Sequence, residues 1–406
     1  MRALLVSPYH GGSHAAWAEG LRRHSRHDIE LLTLPDRFWK WRMHGGAVTL
    51  ARRFLRDGER PDVILATDML DLSTFLALTR RVTADVPTAL YMHENQLTYP
   101  LPDDPGEGPM RRQKGERDHH YAFVNYASMQ AADRVVFNSR FHRDAWFEEL
   151  PRFLRHFPEF NELASVDRLR AASSVLPVGI DGAPDAGIAP AGGSDPVNDG
   201  GDDLVPGTPG DEPPLLLWNQ RWEYDKNPEQ MVRALRHLAQ HGVPFRLALC
   251  GQSFAESPTA LEEAREAFAD RLVHYGFAEP DTYRGLLRDA EVTVSTAEHE
   301  FFGIAVLEAM AHGAFAVLPD RLSYPELLDD PAVSKETRRR VLYRGHDKLL
   351  DKLTWALSHR GEARRRGGEL ARAARRFRWS AVAPAYDELF AELVGGGDAA
   401  TDGPFA

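Results

Sequence analysis

Residues 291–318 read EVTVSTAEHEFFGIAVLEAMAHGAFAVL, and three structural elements can be recognised in this stretch. Residues 314–318 are an apolar run of strand length, residues 291–296 are rich in the Val and Thr that favour strands, and residues 304–312 between them have the composition of a helix. Gly313 stands where a glycine commonly terminates a helix. A strand, a helix and a second strand in this order predict a βαβ unit, with both strands parallel in one sheet.

The same alternation of short apolar runs and amphipathic segments extends over most of the 406 residues and predicts the α/β class. We predict two doubly wound, Rossmann-like domains with parallel sheets, because a break rich in Gly, Pro and Asp divides the strands into two groups. The first group lies at residues 2–6, 29–33, 63–66, 88–92, 134–137 and 174–178, and the second at residues 215–218, 245–249, 272–275, 291–295 and 314–318. The predicted organisation is a first domain at 1–180, a flexible insertion or linker at 181–214, a second domain at 215–378, a helix at 379–394 that returns to the first domain, and a frayed tail at 395–406.

Composition excludes several functional classes. The formal net charge of −11 argues against a protein that binds nucleic acid with its whole surface, since such binding neutralises phosphates, although a local basic patch stays open. The single cysteine, Cys250, excludes an internal disulfide and a zinc site built from several thiolates. No apolar stretch has the length of a signal peptide or a membrane span, so we expect a cytoplasmic protein that does not enter a membrane.

Polar residues follow the strand at residues 291–296, at the end where ligands bind in open α/β sheets. By position alone, Glu300 therefore falls near a ligand. Phe302 and Gly303 begin the next helix, whose free N–H groups suit an anion such as a diphosphate. Glu308 lies near enough to the helix start to accept hydrogen bonds from the vicinal hydroxyls of a ribose. The alternative is a surface-loop acid at Glu300 and a solvated helix position at Glu308.

The segment EFFGIAVLE, from Glu300 to Glu308, resembles the E-x7-E signature of retaining nucleotide-sugar glycosyltransferases with the GT-B architecture. In that architecture two Rossmann-like domains face each other across a cleft. The resemblance implies that Glu300 lies at the donor sugar and that Glu308 binds the nucleotide ribose. It also implies that the backbone of Phe302 and Gly303 meets the sugar and the phosphates.

A cationic pair follows the first strand of the second domain, in the segment WNQRWEYDKNP. The same family places an arginine and a lysine there, which implies that Arg221 and Lys226 clamp the donor diphosphate. Two fixed cations stabilise the negative charge of a departing diphosphate as a divalent metal would. Because the chain also contains no D-x-D motif, we expect no metal and no other cofactor. The alternative is a surface cluster of salt bridges.

The loop after the first strand, YHGGSH, has the composition of a phosphate-type turn. Gly11 and Gly12 permit a tight turn at which the donor could approach the backbone, and Ser13 could cap the next helix. The loop lacks the G-x-G-x-x-G pattern, which disfavours a dehydrogenase. The two glycines between His10 and His14 disfavour a helical metal pair, and the loop is expected to face the cleft between the domains, with His14 toward the acceptor.

Two further strand ends of the first domain carry polar residues. The strand at 88–92 ends in His93, Glu94 and Asn95, and His93 could hydrogen-bond a sugar hydroxyl or transfer a proton. A structural histidine is the alternative. The strand at 134–137 is followed by Asn138 and Ser139, either of which could cap the next helix, and the alternative is a function in the cleft.

Six segments resemble a narrower family, the glycosyltransferase-like proteins identified as tRNA-queuosine α-mannosyltransferases: YHGGSH, LPDRFWKWRM, YMHENQLTYP, VVFNSRF, WNQRWEYDKNPE and STAEHEFFGIAVLEA. The resemblance covers nearly all of residues 1–394. It implies transfer of mannose from GDP-mannose to a cyclopentenediol hydroxyl of queuosine, in the anticodon of an aspartate tRNA, with retention of anomeric configuration. The expected catalytic residues are Glu300, His93, Arg221 and Lys226, and the expected acceptor contacts include His14, Glu94, Asn95 and Asn138.

Two basic segments could supply the local patch that a tRNA acceptor needs. Trp39 and Trp41 alternate with cations in RFWKWR, so the indoles could stack on anticodon bases while the cations meet phosphates. The alternative is that both indoles face one side of a strand or pack a loop. Arg111 and Arg112 begin a second basic run that could contact RNA.

Other functions stay open on the sequence alone. A retaining glycosyltransferase of this architecture could act on a lipid, a glycan or a small metabolite, and UDP could replace GDP in the donor. A sugar-nucleotide-binding or tRNA-binding protein without catalysis is an alternative of another class. Oligomeric state is not predicted.

Overall fold

The computed structural model describes residues 1–99, 119–182, 212–251 and 258–396 of the chain. Within these ranges the strands form two sheets of six strands each, and the neighbouring strands are parallel. No helix in the described part of the chain has the length and hydrophobicity that a membrane span needs. The predicted α/β class with two doubly wound parallel sheets is confirmed.

The first sheet is built from residues 2–175. Its strands are β1 (Arg2–His10), β2 (Asp28–Pro35), β3 (Val63–Thr67), β4 (Thr88–Met92), β5 (Arg134–Phe137) and β6 (Ser173–Val175), in the spatial order β2-β1-β3-β4-β5-β6. The helices of this part are α1 (Gly12–His24), α2 (Trp39–Asp57), α3 (Leu72–Thr83), α4 (His119–Ala131), α5 (Arg140–Leu154) and α6 (Ser165–Ala171).

The second sheet is built from residues 215–343. Its strands are β7 (Leu215–Trp218), β8 (Arg246–Cys250), β9 (Leu272–Gly276), β10 (Ala290–Val294), β11 (Phe315–Pro319) and β12 (Leu342–Tyr343), in the spatial order β12-β11-β10-β7-β8-β9. The helices that follow β7 are α7 (Pro228–Gln240), α8 (Thr259–Ala267), α9 (Pro280–Asp289), α10 (Ile304–Ala311), α11 (Tyr324–Leu327), α12 (Lys335–Val341), α13 (His346–Ser358), α14 (Arg360–Ala374) and α15 (Trp379–Gly395).

The βαβ unit predicted from residues 291–318 is present as β10, α10 and β11. Val292 of β10 is paired with Phe315 of β11 in parallel register. Gly313 follows the helix with φ of +95°, a left-handed conformation that suits glycine at a helix end. Strands such as β7 and β11 are buried at every position, because helices cover both faces of the sheet.

Three local expectations differ from the structure. Trp39 and Trp41 lie in the first turn of α2, so the strand-or-loop alternative for them is wrong; the helix forms because its later apolar residues, among them Leu50, are buried at helical spacing. Ser13 lies inside α1 and caps nothing, since Gly11 is the N-cap residue. The strand β12 was not predicted, because two residues form too short a run to show any periodicity.

The last helix, α15, packs on α1 and β3 of the first domain. Trp17 Nε1 of α1 donates to the Tyr386 hydroxyl of α15 at 3.0 Å. At the crossing between the domains, Ile180 N donates to Phe377 O at 2.8 Å and Trp379 N donates to Ile180 O at 3.2 Å. The two domains are therefore joined at residues close to 180 and 378, on one side of the space between the sheets.

Candidate active site between the two domains

The strand ends of the two sheets face each other across a cleft. Ser139 Oγ, after β5, donates to Phe301 O, after β10, at 2.5 Å. The ring of His142 stacks on the ring of Phe301 with centroids 3.9 Å apart. The Tyr99 ring, from the loop after β4, lies 4.7 Å from the His299 ring. Because ligands of parallel sheets bind beyond these strand ends, a ligand here would contact both domains.

A carboxylate of the second domain binds the N-terminus of α5 in the first. Glu326 accepts hydrogen bonds from Arg140 N at 3.1 Å and from Phe141 N at 2.5 Å. Free N–H groups at a helix start attract a negative charge, so this contact holds the domains together. The ion pair of Arg140 with Asp329, at 2.7 Å, adds a second contact.

Lys226 lies at the centre of the second domain's side of the cleft and is 4% exposed. Its Nζ donates to His299 O at 2.7 Å and lies 3.0 Å from Asp225 Oδ2 and 3.4 Å from Glu300 Oε2. Thr296 Oγ1 donates to the Lys226 carbonyl at 2.8 Å and fixes the loop. Burial acts to lower the pKa of Lys226, but Glu300 and Asp225 raise it above its usual value. The ammonium therefore stays charged.

Glu300 is held in the ionised form beside Lys226. Its Oε1 accepts the Phe302 N–H at 3.2 Å, while Oε2 faces the lysine. Burial acts to raise the pKa of Glu300, but Lys226 and the Phe302 amide outweigh burial and lower it. Glu300 can therefore place a negative charge at a sugar, and it is not a proton donor at neutral pH.

Gly303 begins α10 in a conformation that favours glycine. Its φ is +92°, and a Cβ at this position would lie 3.1 Å from Cε1 of Tyr324. The neighbouring Phe302 turns its ring into the core, 5.8 Å from the ring of Phe377. At the start of α10 the backbone, rather than a side chain, is thus the group that can meet a ligand, as the resemblance implies.

Arg221 reaches from the second domain toward the first. Its guanidinium lies 3.7 Å from Glu94 Oε1, 3.8 Å from Glu223 Oε2 and 3.5 Å from the Tyr99 hydroxyl. The side chain is 41% exposed, and its charge partly opposes the rise in the pKa of Lys226 that the carboxylates cause, so the two cations share one electrostatic environment. Ion pairs at these distances are loose, which allows a diphosphate to replace the carboxylates around Arg221.

Glu308 occupies a separate position along α10. Its Oε2 accepts the Tyr283 hydroxyl proton at 2.7 Å, and that hydroxyl accepts from Asn219 Nδ2 at 3.1 Å. Burial raises the pKa of Glu308 to about 7, with a further increase from Asp181 and an opposing effect of Tyr283. The charge of this carboxyl group therefore changes near neutral pH.

His14 and His93 form a buried pair on the first domain's side of the cleft. Their ring centroids are 4.3 Å apart, and the ring of Trp17 packs edge-to-face against His93 with centroids 4.6 Å apart. Burial lowers the pKa of His93 well below its usual value and that of His14 to about 4, so both rings are neutral. His93 Nε2 and His14 Nδ1 are buried and make no hydrogen bond with any residue that the structure describes. They can bind polar groups of a ligand.

The two asparagines predicted to contact the acceptor make hydrogen bonds within the protein. Asn95 Oδ1 accepts from the backbone amides two and three residues later, at 3.1 and 2.9 Å, although its buried Nδ2 has no described partner. Asn138 Nδ2 donates to His93 O at 2.9 Å, and Asn138 Oδ1 pairs with His142 Nδ1 at 2.9 Å. The helix cap at this strand end is Ser139. Asn138 therefore positions the His93 loop.

The glycine turn after β1 is less favourable to a phosphate than its composition implies. Gly12 has φ of +51°, and a Cβ at Gly11 would collide with the carboxylate of Asp36. A negative group beside the turn repels an anion. Donor contact at Gly11 and Gly12 stays a prediction.

The candidate RNA contacts Trp39 and Trp41 lie in the first turn of α2. Trp39 is 38% and Trp41 is 63% exposed, so neither indole belongs to the core. The Trp39 ring lies 5.2 Å from the ring of Tyr121. Arg111 and Arg112 lie outside the described residues.

Several residues of the cleft were not predicted from the sequence. Asp225 directly precedes Lys226 in the segment EYDK. Because a buried lysine needs a counter-charge, this position could have been predicted as its partner. Tyr99, Asn219 and Tyr283 gave no local signal, because their partners are distant in sequence. Within the described ranges, no group of three or more His, Cys, Asp or Glu residues could hold a metal ion.

Comparison with known proteins divides the chain in the same way. Residues 2–180 match the family model described as tRNA-queuosine alpha-mannosyltransferase N-terminal, and residues 206–374 match the model described as glycosyl transferases group 1. The chain is 33% identical over 331 residues to the tRNA-queuosine alpha-mannosyltransferase of Drosophila melanogaster, covering 80% of this chain and 81% of that protein. A GDP-mannose-dependent alpha-(1-6)-phosphatidylinositol dimannoside mannosyltransferase of Mycobacterium tuberculosis is 30% identical over 115 residues, which are 28% of this chain and 29% of that protein.

Solved structures share the fold at low sequence identity. Sucrose-phosphate synthase from Thermosynechococcus elongatus superposes with a TM-score of 0.66 at 15% identity, covering 98% of this chain and 100% of that chain. Anabaena HepE in complex with UDP and glucose superposes with a TM-score of 0.61 at 13% identity, covering 97% of this chain and 100% of that chain. These similarities concern the fold alone, and the predicted GT-B architecture is confirmed.

Proposed function

Because this chain belongs to the tRNA-queuosine alpha-mannosyltransferase family, we propose that the cleft between its domains transfers mannose to queuosine in tRNA. The family resemblance found in the sequence motifs is confirmed. We further propose that the donor is GDP-mannose, that the acceptor is a cyclopentenediol hydroxyl of queuosine in the anticodon of an aspartate tRNA, and that the reaction retains anomeric configuration. The GDP-mannose-dependent relative from Mycobacterium tuberculosis supports this donor. A tRNA acceptor makes the cytoplasm the expected location.

The observation that carries the proposal is the convergence of charged groups at one strand edge. Lys226 and Glu300 lie 3.4 Å apart at the start of α10, although they are 74 positions apart in sequence. Arg221 completes the cationic side, and Glu94 of the other domain lies 3.7 Å from its guanidinium. This arrangement offers positive charge to a diphosphate and negative charge to a sugar in one small volume.

We propose that the leaving diphosphate is stabilised by Lys226, Arg221 and the N-terminus of α10. As the bond between the anomeric carbon and the phosphate oxygen breaks, negative charge grows on the diphosphate and positive charge grows on the sugar ring. Lys226 and Arg221 stabilise the negative charge of the diphosphate, in the role that a divalent metal has in other sites. Ionised Glu300 stabilises the positive charge of the sugar ring. The reaction therefore needs no resident cofactor.

We propose that the acceptor enters from the first domain's side of the cleft. The hydroxyl attacks the anomeric carbon from the face that the diphosphate leaves, which gives retention, and its proton passes to the departing phosphate oxygen. Neutral His93 and His14 have unused ring nitrogens that can orient the diol. Closure of the cleft excludes water from the developing cation.

The proposed reaction can be tested with purified protein, GDP-mannose and tRNA that contains queuosine. We expect mass spectrometry of the digested tRNA to show queuosine heavier by one hexose, together with an equal amount of released GDP. Unmodified tRNA, which carries guanosine at that position, is the control and should stay unchanged. Parallel reactions with UDP-glucose and with a phosphatidylinositol lipid test the other donors and acceptors. Mannose found in the lipid and not in the tRNA, or GDP-mannose binding without GDP release, would contradict the proposal.

The affinity for GDP-mannose is expected to rise by up to about tenfold between roughly pH 6 and pH 8, because hydrogen bonds to a charged acceptor are stronger. The cause is Glu308, whose pKa of about 7 means that it binds the ribose hydroxyls as a neutral acid below this pH and as a carboxylate above it. Calorimetric titration with GDP-mannose measures this change in affinity. Because the diphosphate of GDP-mannose is esterified, it does not change its own protonation in this pH range.

Two variants test whether Glu308 itself is the cause, rather than its neighbours Asp181 and Cys250. Glu308→Gln should bind GDP-mannose more weakly at pH 8 and show a flat profile. Tyr283→Phe removes a hydroxyl that favours the charged carboxylate, so its profile should shift to higher pH. A pH profile that is the same in Glu308→Gln and in the native protein would assign the dependence to another group.

A further inference from the structure

The helix α2 and the turn before it concentrate positive charge on an acidic chain. Residues 36–57 contain six basic and two acidic side chains, whereas the whole chain has a formal charge of −11. The basic residues form two groups, of which the first surrounds the exposed indoles at the start of the helix and the second lies in its last turns: Arg37, Lys40 and Arg42, and Arg52, Arg53 and Arg56.

Much of this charge is not neutralised within the domain. Arg56 pairs with Asp57 at 2.5 Å, but Arg37, Arg52 and Arg53 form no ion pair with a carboxylate in the described part of the chain. Arg53 donates to a backbone carbonyl of β2 at 3.3 Å, which orients the side chain without cancelling its charge. The positive field of α2 is therefore directed outward.

The arginine-rich helix α14 differs in this respect. Arg360 and Arg364 both pair with Glu291, at 2.6 and 3.2 Å, and Arg366 pairs with Glu362 at 2.6 Å. Its charges serve the packing of the second domain. Compared with α14, α2 is better suited to bind an external polyanion.

The exposed face of α2 forms one continuous ridge. Trp41, Val48 and Leu55 are 63%, 54% and 50% exposed and lie at helical spacing with Arg52 between the last two. At 1.5 Å per residue the ridge is about 22 Å long from Trp41 to Arg56. Near its end, Arg52, Arg53 and Arg56 line a surface groove of about 470 Å³ between α2 and β2, which the carboxylates of Glu30 and Asp57 also line.

The ridge starts at the cleft and leads away from it. A helix that follows a strand of a parallel sheet begins at the edge where ligands bind, so the first turn of α2 lies on the cleft side. Side-chain packing connects this turn to the site: Met43 of α2 and Tyr121 pack in one cluster with Tyr9, and the Tyr9 ring lies 5.7 Å from that of His14. The last turns of α2 lie at the opposite edge of the sheet.

We propose that the outward face of α2 binds the phosphate backbone of the duplex stem next to the modified loop of the acceptor RNA. This inference rests on the proposed function, because a loop held in the cleft requires its stem to pass over an adjoining surface. Duplex RNA is recognised chiefly through its shape, phosphates and 2′-hydroxyls, for which a row of outward cations is suited. The indoles Trp39 and Trp41 lie at the loop end, where unpaired bases can stack. A protein partner would need a larger apolar patch than the separated Val48 and Leu55 provide.

The double variant Arg52→Glu/Arg53→Glu tests this surface away from the reacting groups. At low salt we expect its affinity for tRNA to fall by about tenfold or more and the slope of log K against log salt to decrease by about 2, because two phosphate contacts are lost. The KM for tRNA should rise while kcat at saturating tRNA and the affinity for GDP-mannose stay unchanged. The control is Arg236→Glu/Arg284→Glu, which makes the same charge change at exposed helices of the second domain and should leave all these values unchanged.

Two further measurements distinguish a loss of stem binding from damage to the active site or to the fold. An oligonucleotide that contains queuosine but no stem should be used equally well by the native protein and by Arg52→Glu/Arg53→Glu. If that variant unfolds at a lower temperature, Arg52→Glu/Arg56→Glu replaces it, since this pair leaves the Arg53 hydrogen bond intact. Unchanged KM and salt slope would overturn the inference and leave a protein partner as the occupant of the ridge. Absence of mannosyl transfer by the native protein would instead contradict the proposed function.

Discussion

Lys226→Ala is expected to lower the kcat of mannosyl transfer by about 10² or more, the usual effect of removing one charge donor to a transition state. Lys226 Nζ is fixed by His299 O and by two carboxylates, so its charge is already in place when the diphosphate departs. No solvent reorganisation is then needed during the reaction. The release of GDP at saturating GDP-mannose and tRNA measures the loss.

The same substitution also removes the counter-charge of Asp225 and Glu300. Breaking a buried ion pair from one side costs roughly 3–5 kcal/mol of stability, so thermal unfolding has to be measured on the variant. Lys226→Met, which keeps most of the side-chain volume, provides a second folded variant without the charge. Lys348→Ala, at an exposed lysine of α13 paired with Asp351, is the matched control and should have native kcat. Native turnover in folded Lys226→Met would contradict the diphosphate role of Lys226.

Glu300→Gln is expected to lower kcat by about 10² to 10³ without disturbing the fold, because it removes a fixed charge from the reacting sugar. The amide keeps an oxygen that can accept the Phe302 N–H, which Glu300 Oε1 accepts at 3.2 Å. What is lost is the negative charge, which the lowered pKa of Glu300 keeps in place throughout the neutral range. The rate of the native protein should therefore show no dependence on Glu300 titration near pH 7.

Glu298→Gln is the control for this prediction. Glu298 is exposed, lies two positions earlier in the same loop, and accepts a hydrogen bond from Asn227 Nδ2 at 2.8 Å that glutamine can also accept. Its variant loses the same charge farther from the proposed sugar position and should keep near-native kcat. Equal losses in Glu298→Gln and Glu300→Gln would mean that the net charge of the loop, and not a specific contact of Glu300, sets the rate.

The elements of the second domain could be predicted because their signals are local. The strand β11 is buried at every position and appears as an uninterrupted apolar run, β10 is recognised by its Val and Thr residues, and Gly303 and Gly313 mark the two ends of α10. The order of these elements restricts them to parallel pairing, since a strand, a helix and a strand connect in few ways. Trp39 and Trp41 show the limit of this reasoning. Aromatic and basic residues alternate over the six residues around them, which resembles a strand, and only the buried face of the whole helix shows that they belong to α2.

Sequence motifs also predicted which types of residue the cleft contains. A site that binds a diphosphate and a sugar needs cations, carboxylates and the start of a helix, and these occur along the chain in an order that can be recognised. Their contacts could not be predicted. Glu94 faces Arg221 from the other domain, Asn138 binds the His93 backbone instead of a ligand, and Tyr283 holds Glu308. Periodicity and spacing describe neighbours within a few turns of chain, whereas these contacts join residues 25 to more than 100 positions apart. The contacts of Asn138 and Tyr283 form only when each domain has folded, and the contact between Glu94 and Arg221 forms only when the two domains have packed together, which brings charges from both domains into one site.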